Sequence, residues 1–119
     1  MDKINIADKL SRFDDYWNPR IVAELNGQHV KLVKFQGEFV WHKHENEDEM
    51  FLVVKGKFEM EFRDRKIEIE ENEFIVVPRG IEHRPVAQSE VSVLLFEPAT
   101  TLNTGDNKGD LTKEKLEFI

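Results

Sequence analysis

The sequence predicts an all-β protein, a small antiparallel barrel with an arm at each end, and three observations carry that prediction. Short runs rich in Val, Ile and Phe recur from Ile21 to Glu97 at intervals of about ten residues, with turn residues between them. Alternation is clean in Phe58-Glu59-Met60-Glu61-Phe62 and in Ile67-Glu68-Ile69-Glu70, which puts apolar side chains on one face and carboxylates on the other. No such run alternates with a long helical pattern, so a parallel sheet of βαβ units is excluded.

Residues 1–20 read as an N-terminal arm. Their apolar groups, Ile4, Ile6, Leu10, Phe13, Tyr16 and Trp17, follow neither period before Asn18-Pro19 breaks the chain. Residues 21–98 hold the barrel. The runs IVAEL and HVKLVKF flank Asn26-Gly27, a type I′ hairpin signal, and EFVWHKH and EMFLVVK flank the polar loop Glu45-Asn46-Glu47-Asp48. Lys55-Gly56-Lys57 reads as a tight reversal into KFEMEFR, and Arg63-Asp64-Arg65-Lys66 as a longer polar one into KIEIE. EFIVVP, HRPVA and VSVLLFE complete the strands. Residues 99–119, rich at first in Thr, Asn, Gly and Asp, read as a C-terminal arm. The arms carry Phe13, Trp17, Leu102, Leu116, Phe118 and Ile119, more apolar surface than so small a barrel packs internally. They either fold back over the sheet edges or cross to a second subunit, and a two-fold homodimer is the expected assembly.

A chain of 119 residues suffices for one domain with its own core. A hydrophobic share of 39%, with nine Phe, beside a charged share of 34% belongs to a globular protein. The formal net charge of −7 argues against a nucleic-acid partner, which would require a clustered basic surface. No apolar run approaches the roughly 18–20 residues that cross a bilayer, and the charged start MDKINIADKL lacks the apolar stretch of a signal peptide. No membrane association and a cytoplasmic location are therefore expected. Cysteine is absent, so any metal must be held by nitrogen and oxygen.

The histidines give the chain its chemistry. His42 and His44 stand two apart, and on a strand that spacing turns both imidazoles to one face. Glu49 opens the run EMFLVVK, so a loop through residues 45–48 can return its carboxylate beside the two rings. Glu45, Glu47 and Asp48 crowd the same loop. Downstream, Pro78-Arg79-Gly80-Ile81-Glu82-His83 supplies a Pro/Gly turn and a fourth candidate ligand. Three imidazoles and one carboxylate suit one divalent transition metal, Fe, Mn, Ni, Zn or Co, and suit the oxygen-seeking Ca²⁺ and Mg²⁺ poorly. His29 has no partner in sequence and is expected at the surface. Trp41, alternating with His42, should face away from the ion. Val40, Phe51, Val53 and Pro85 share the ligands' face and are expected to line an apolar pocket, while Arg79 and Arg84 are expected to be solvated.

This spacing resembles the two motifs of the cupin superfamily. His42, His44, Glu49 and Gly56 match the first motif, His-x-His followed by Glu and then Gly. Pro78, Gly80 and His83 match the second, Pro-x-Gly-x-x-His. The chain departs from the pattern in three places: Gly37 lies one residue nearer the first histidine than the family's leading Gly, Asn72 replaces the Gly that opens the second motif, and Ala87 replaces its closing Asn. Asn tolerates positive φ well enough to keep the turn. The flanking LNTGD at 102–106 looks like that of small single-domain bacterial cupins of the mannose-6-phosphate-isomerase-like kind. The resemblance implies a double-stranded β-helix, or jelly-roll barrel, with His42, His44, Glu49 and His83 on one metal. Three functions are open: a metal-dependent enzyme that oxidises with O₂ or isomerises a small polar or carboxylated compound, a metal-dependent binder of a small ligand without turnover, and a metal-free structural protein, which requires the ligands to be idle.

Overall fold

The computed structural model describes all of residues 1–119. A short helix, α1 (Ile6–Leu10), precedes seven strands: β1 (Arg20–Leu25), β2 (Gln28–Glu38), β3 (Glu49–Lys55), β4 (Lys57–Glu61), β5 (Lys66–Glu70), β6 (Phe74–Val77) and β7 (Arg84–Pro98). All the ladders are antiparallel, in the order β1-β2-β7-β3-β6, with β4 paired to both β5 and β7. No helix is long and apolar enough to cross a membrane.

The turns follow from their residues. Asn26 and Gly27 both take positive φ, 50° and 77°, as a type I′ hairpin requires, and join β1 to β2. Asn72 sits at φ 67° in the β5–β6 turn, so the missing glycine is replaced by the side chain best able to stand in for it. Lys55-Gly56-Lys57, expected as a reversal, is instead a corner. β3 and β4 do not pair with each other; both run antiparallel to β7, Lys55 opposite Ser92 and Glu59 opposite Val86. The stretch Gln88–Glu90 bulges out at this bend, and a Cβ on Gly56 would stand 3.0 Å from the Glu90 carbonyl oxygen. Close approach of two backbones, not chain reversal, is what demands glycine here.

Strand mergers are the other difference. HRPVA and VSVLLFE form the single bent strand β7, and β2 absorbs HVKLVKF and the start of the next run. The core gathers Val33, Phe35, Phe51, Val53, Phe58, Met60, Val91, Val93 and Leu95 from the inward faces. Both arms fold back on their own barrel. Trp17 stacks on Phe35 and Phe39 at centroid distances of 4.5 and 4.7 Å, its indole donating to the Gln36 carbonyl. It does so at φ 61°, a conformation costly for a bulky side chain and held here by that burial. At the other end, Ile21 and the segment from Glu117 to Ile119 exchange backbone hydrogen bonds of 2.8 and 3.0 Å along the β1 edge.

Candidate metal centre

The segment holding His42 and His44 is a loop, not the strand expected, because β2 ends at Glu38. His42 makes one isolated bridge, its N–H donating to the His83 carbonyl at 3.1 Å and its own carbonyl accepting from the His83 N–H at 2.9 Å. That reciprocal pair is how ligands distant in sequence come together. Gly80 donates to the His44 carbonyl at 2.8 Å, and Asp48 accepts from the Arg79 N–H at 2.9 Å, so the two loops are stitched along their length. Glu49 enters as the first residue of β3, opposite Val77.

The four side chains are buried, and their ligand atoms lie within 4.8 Å of one another. His42 Nδ1 lies 2.9 Å from the Val40 carbonyl oxygen and His83 Nδ1 2.9 Å from that of Ile81. A carbonyl only accepts, so both Nδ1 atoms carry the proton and both Nε2 atoms are turned to the common centre. His44 Nε2, His83 Nε2 and Glu49 Oε1 are buried there without a hydrogen-bond partner. Each such atom costs about 1–3 kcal/mol if left alone, and a shared cation relieves all three. The donor set thus fits a divalent transition ion. Glu45, Glu47 and Asp48 take other roles; Asp48 pairs with Arg79, and Glu47 accepts from Thr100.

Burial, reinforced by the neighbouring His83, lowers the pKa of His42 to about 4, so this ring is neutral at ordinary pH. Burial also opposes charge on His44, but the Glu49 carboxylate 3.2 Å away outweighs it and raises its pKa. Burial works against the ionised form of Glu49, yet His44 and His83 prevail and hold its carboxyl below the usual range.

A cavity of about 30 Å³ opens beside the cluster. Trp17, Phe35, Phe39, Phe51 and Pro85 wall it, and His42, Glu49, Lys31 and Glu97 line it with them. Phe51 and Pro85 are where the sequence places them; Val53 lies in the core instead, and Val40 packs against it. Lys31, Glu97 and Trp17 were not legible as pocket residues. The available signal was strand phase: Lys31 shares a face with Val33 and Phe35, and Glu97 with Val93 and Leu95. Burial, with Glu49 close by, pushes the Glu97 carboxyl well above its ordinary value. Arg84 is held by Glu61 and Glu38, and Arg79 by Asp48, so neither cation serves the cavity. Trp41 faces Arg63 and Arg84 outside the cavity, and His29 pairs with Glu24.

The C-terminal arm braces the first ligand loop. Asp106 donates its N–H to the Lys43 carbonyl at 3.1 Å, and its Oδ1 accepts from the Lys43 N–H at 3.0 Å. Asn107 donates to the Trp41 carbonyl at 3.0 Å. Gly105, at φ 54°, lies so close that a Cβ would overlap the Lys43 carbonyl oxygen and press on the His42 ring. This contact accounts physically for Gly-Asp in LNTGD.

Fold and site together define a small jelly-roll protein with three imidazoles and a carboxylate converging inside it. Residues 28–97 match the cupin-2 family, a cupin domain. The crystal structure of a cupin-2 domain containing protein from Shewanella frigidimarina NCIMB 400 is similar at a TM-score of 0.79 and 45% identity, over 80% of this chain and 93% of that one. Protein NMB1881 from Neisseria meningitidis is similar at 0.76 and 32% identity, over 82% and 100% of the two chains. The YdbB protein of Bacillus subtilis strain 168 is 34% identical over 64 residues, 53% of this chain and 57% of that protein. The chain therefore belongs to the cupin family, while its match spans little more than half of the Bacillus relative.

Proposed function

We propose that the chain holds one divalent transition metal through His42, His44, Glu49 and His83 and uses it on a small molecule admitted to the adjoining cavity. The observation that carries this reading is the convergence of orphaned lone-pair atoms with the Nδ1 protons tied to backbone carbonyls. A divalent ion held by these four residues would supply Lewis-acid polarisation of a substrate oxygen. The protein supplies the surroundings. Trp17, Phe35, Phe39 and Phe51 exclude water and confine the ligand, and Lys31 and Glu97 stand within the same cavity as charged or proton-carrying groups. That last feature favours turnover over mere capture. The reaction class is oxidation by O₂ or isomerisation of a small polar or carboxylated compound. A homodimer would draw on the exposed apolar surface, Phe74 and Val76 on the β6 edge and Phe118 on the C-terminal arm.

The test is elemental analysis of protein purified without affinity tag or chelator, followed by oxygen-uptake and isomerisation assays on small acids and sugars. Stoichiometric Fe, Mn, Ni, Zn or Co is expected. A metal-free protein that stays so when offered these ions would end the reading; metal without turnover would leave the binding function.

A further inference from the structure

The cavity is lined by a second polar pair, next to the ligand cluster. Lys31 Nζ and Glu97 Oε2 lie 3.6 Å apart, with side chains 3% and 2% exposed. That separation is too long for a hydrogen bond, and Glu97 Oε2 has no other partner. A buried ion pair offsets its desolvation only when its geometry is good and its remaining protons and lone pairs are satisfied. In this pair the contact is long and Glu97 Oε2 is left unmatched. Apolar residues in both places would simply continue the inward rows of Val33 and Phe35 on β2 and of Val91, Val93 and Leu95 on β7. Instead two buried, poorly matched groups face the space bordered by His42 and Glu49.

We propose that Lys31 and Glu97 form the recognition subsite for a short 2-hydroxycarboxylate, the carboxylate accepting from Lys31 and the hydroxyl bonding to Glu97. The inference deepens the metal reading and rests on it for the ion that meets the ligand's remaining oxygen lone pairs. With a divalent ion in place, its charge and that of Lys31 outweigh Glu49 and Glu97, so the loaded pocket is net positive and a singly charged acid complements it. A hydroxyl donates as well as accepts, so it satisfies Glu97 in either protonation state. The aromatic walls take the carbon skeleton, and the small size of the cavity keeps that skeleton short.

Calorimetric titration of the metal-loaded protein with glycolate and with glycolamide, its uncharged analogue, tests the subsite. Glycolate is expected to bind about tenfold to a hundredfold more tightly than glycolamide. Lys31→Met is expected to remove that preference while leaving metal content unchanged, weakening glycolate far more than glycolamide, whose neutral carbonyl gains less from the ammonium; Lys31→Gln serves if the first variant does not fold. Equal affinity for the two probes in the parent overturns the proposal, as does a glycolate preference that survives loss of Lys31. Should the parent take up no metal, the metal reading fails by itself. The same titration of the metal-free protein then decides the subsite: a Lys31-dependent glycolate preference upholds it, and its absence overturns it.

Discussion

The four candidate ligands and the Lys31–Glu97 pair border one cavity, yet the chain builds them by opposite means. Three of the ligands stand on loops, and Glu49 opens a strand; hydrogen bonds between the loops, such as the His42–His83 bridge, bring them together. Lys31 and Glu97 stand within the paired stretches of β2 and β7, in a ladder that sets Lys31 opposite Leu95 and His29 opposite Glu97. Here only register and strand phase decide that both side chains point inward. A one-residue slip of either strand would turn its charged group outward. The loop cluster is thus local chemistry mounted on the barrel, and the strand pair is part of the barrel itself.

The sharpest way to break this comparison is to remove a ligand. His83→Ala or Glu49→Ala should lower metal affinity by more than about 100-fold, beyond the 10–100-fold typical of losing an outer-shell partner. The barrel should remain folded, because these side chains serve the cavity and not the ladders. Metal content by elemental analysis, beside far-UV circular dichroism, checks both halves. Metal retained at parental affinity would show that the cluster is not the site.

Next in size is the brace. Gly105→Ala forces a Cβ onto the Lys43 carbonyl and the His42 ring, so the arm must lift from the loop. We expect metal affinity to fall by about 10–100-fold and stability by about 1–3 kcal/mol. Asp106→Asn keeps the acceptor for the Lys43 N–H and should stay near the parent, whereas Asp106→Ala should move towards Gly105→Ala. If all three variants bind metal like the parent, the arm does not position the loop.

The same contrast explains what could be read from sequence. All four candidate ligands were legible because His-x-His and Pro-x-Gly-x-x-His are short local patterns. The all-β class was legible because apolar alternation and turn residues are local too. The corner at Gly56 was not. A glycine between two β-runs signals positive φ, whereas the close Glu90 backbone that explains it lies far along the chain. Merger of two runs into β7 was hidden for a similar reason: the bulge at Gln88–Glu90 looks like a turn until both neighbouring ladders are known. Lys31 and Glu97 are hard to read from sequence because a charged residue in an alternating run reads as outward-facing unless its phase is counted from Val33 or Leu95.

Proton competition gives a smaller, graded effect. Metal requires neutral imidazole, and Glu49 favours the charged form of His44, whose pKa is raised. Below that raised value, each unit fall in pH should weaken metal affinity about tenfold; above it the dependence should flatten. His42 adds no competition until about pH 4, where its own ring begins to charge. Competition titrations from about pH 5.5 to 8 measure the slope. Affinity that is flat across this range, or that rises on acidification, contradicts the assignment of His44 as a ligand.

The smallest expected effect on metal comes from erasing the Lys31–Glu97 pair. Lys31→Met combined with Glu97→Gln removes the ion pair while Gln keeps the shape beside Glu49. Because a buried pair is often no more stabilising than well-packed replacements, stability should be unchanged or higher by about 1–4 kcal/mol. Metal affinity should stay within about tenfold of the parent, below the larger losses seen when an outer-shell partner holds a ligand in place. Chemical denaturation and metal titration measure the two quantities separately. A collapse of metal binding in this variant would mean that Glu97 orients Glu49, making the two clusters one network. A loss of several kcal/mol in stability would mean that the pair holds β2 against β7, in which case its imperfect contact is structural and the case for a ligand between Lys31 and Glu97 loses its physical basis.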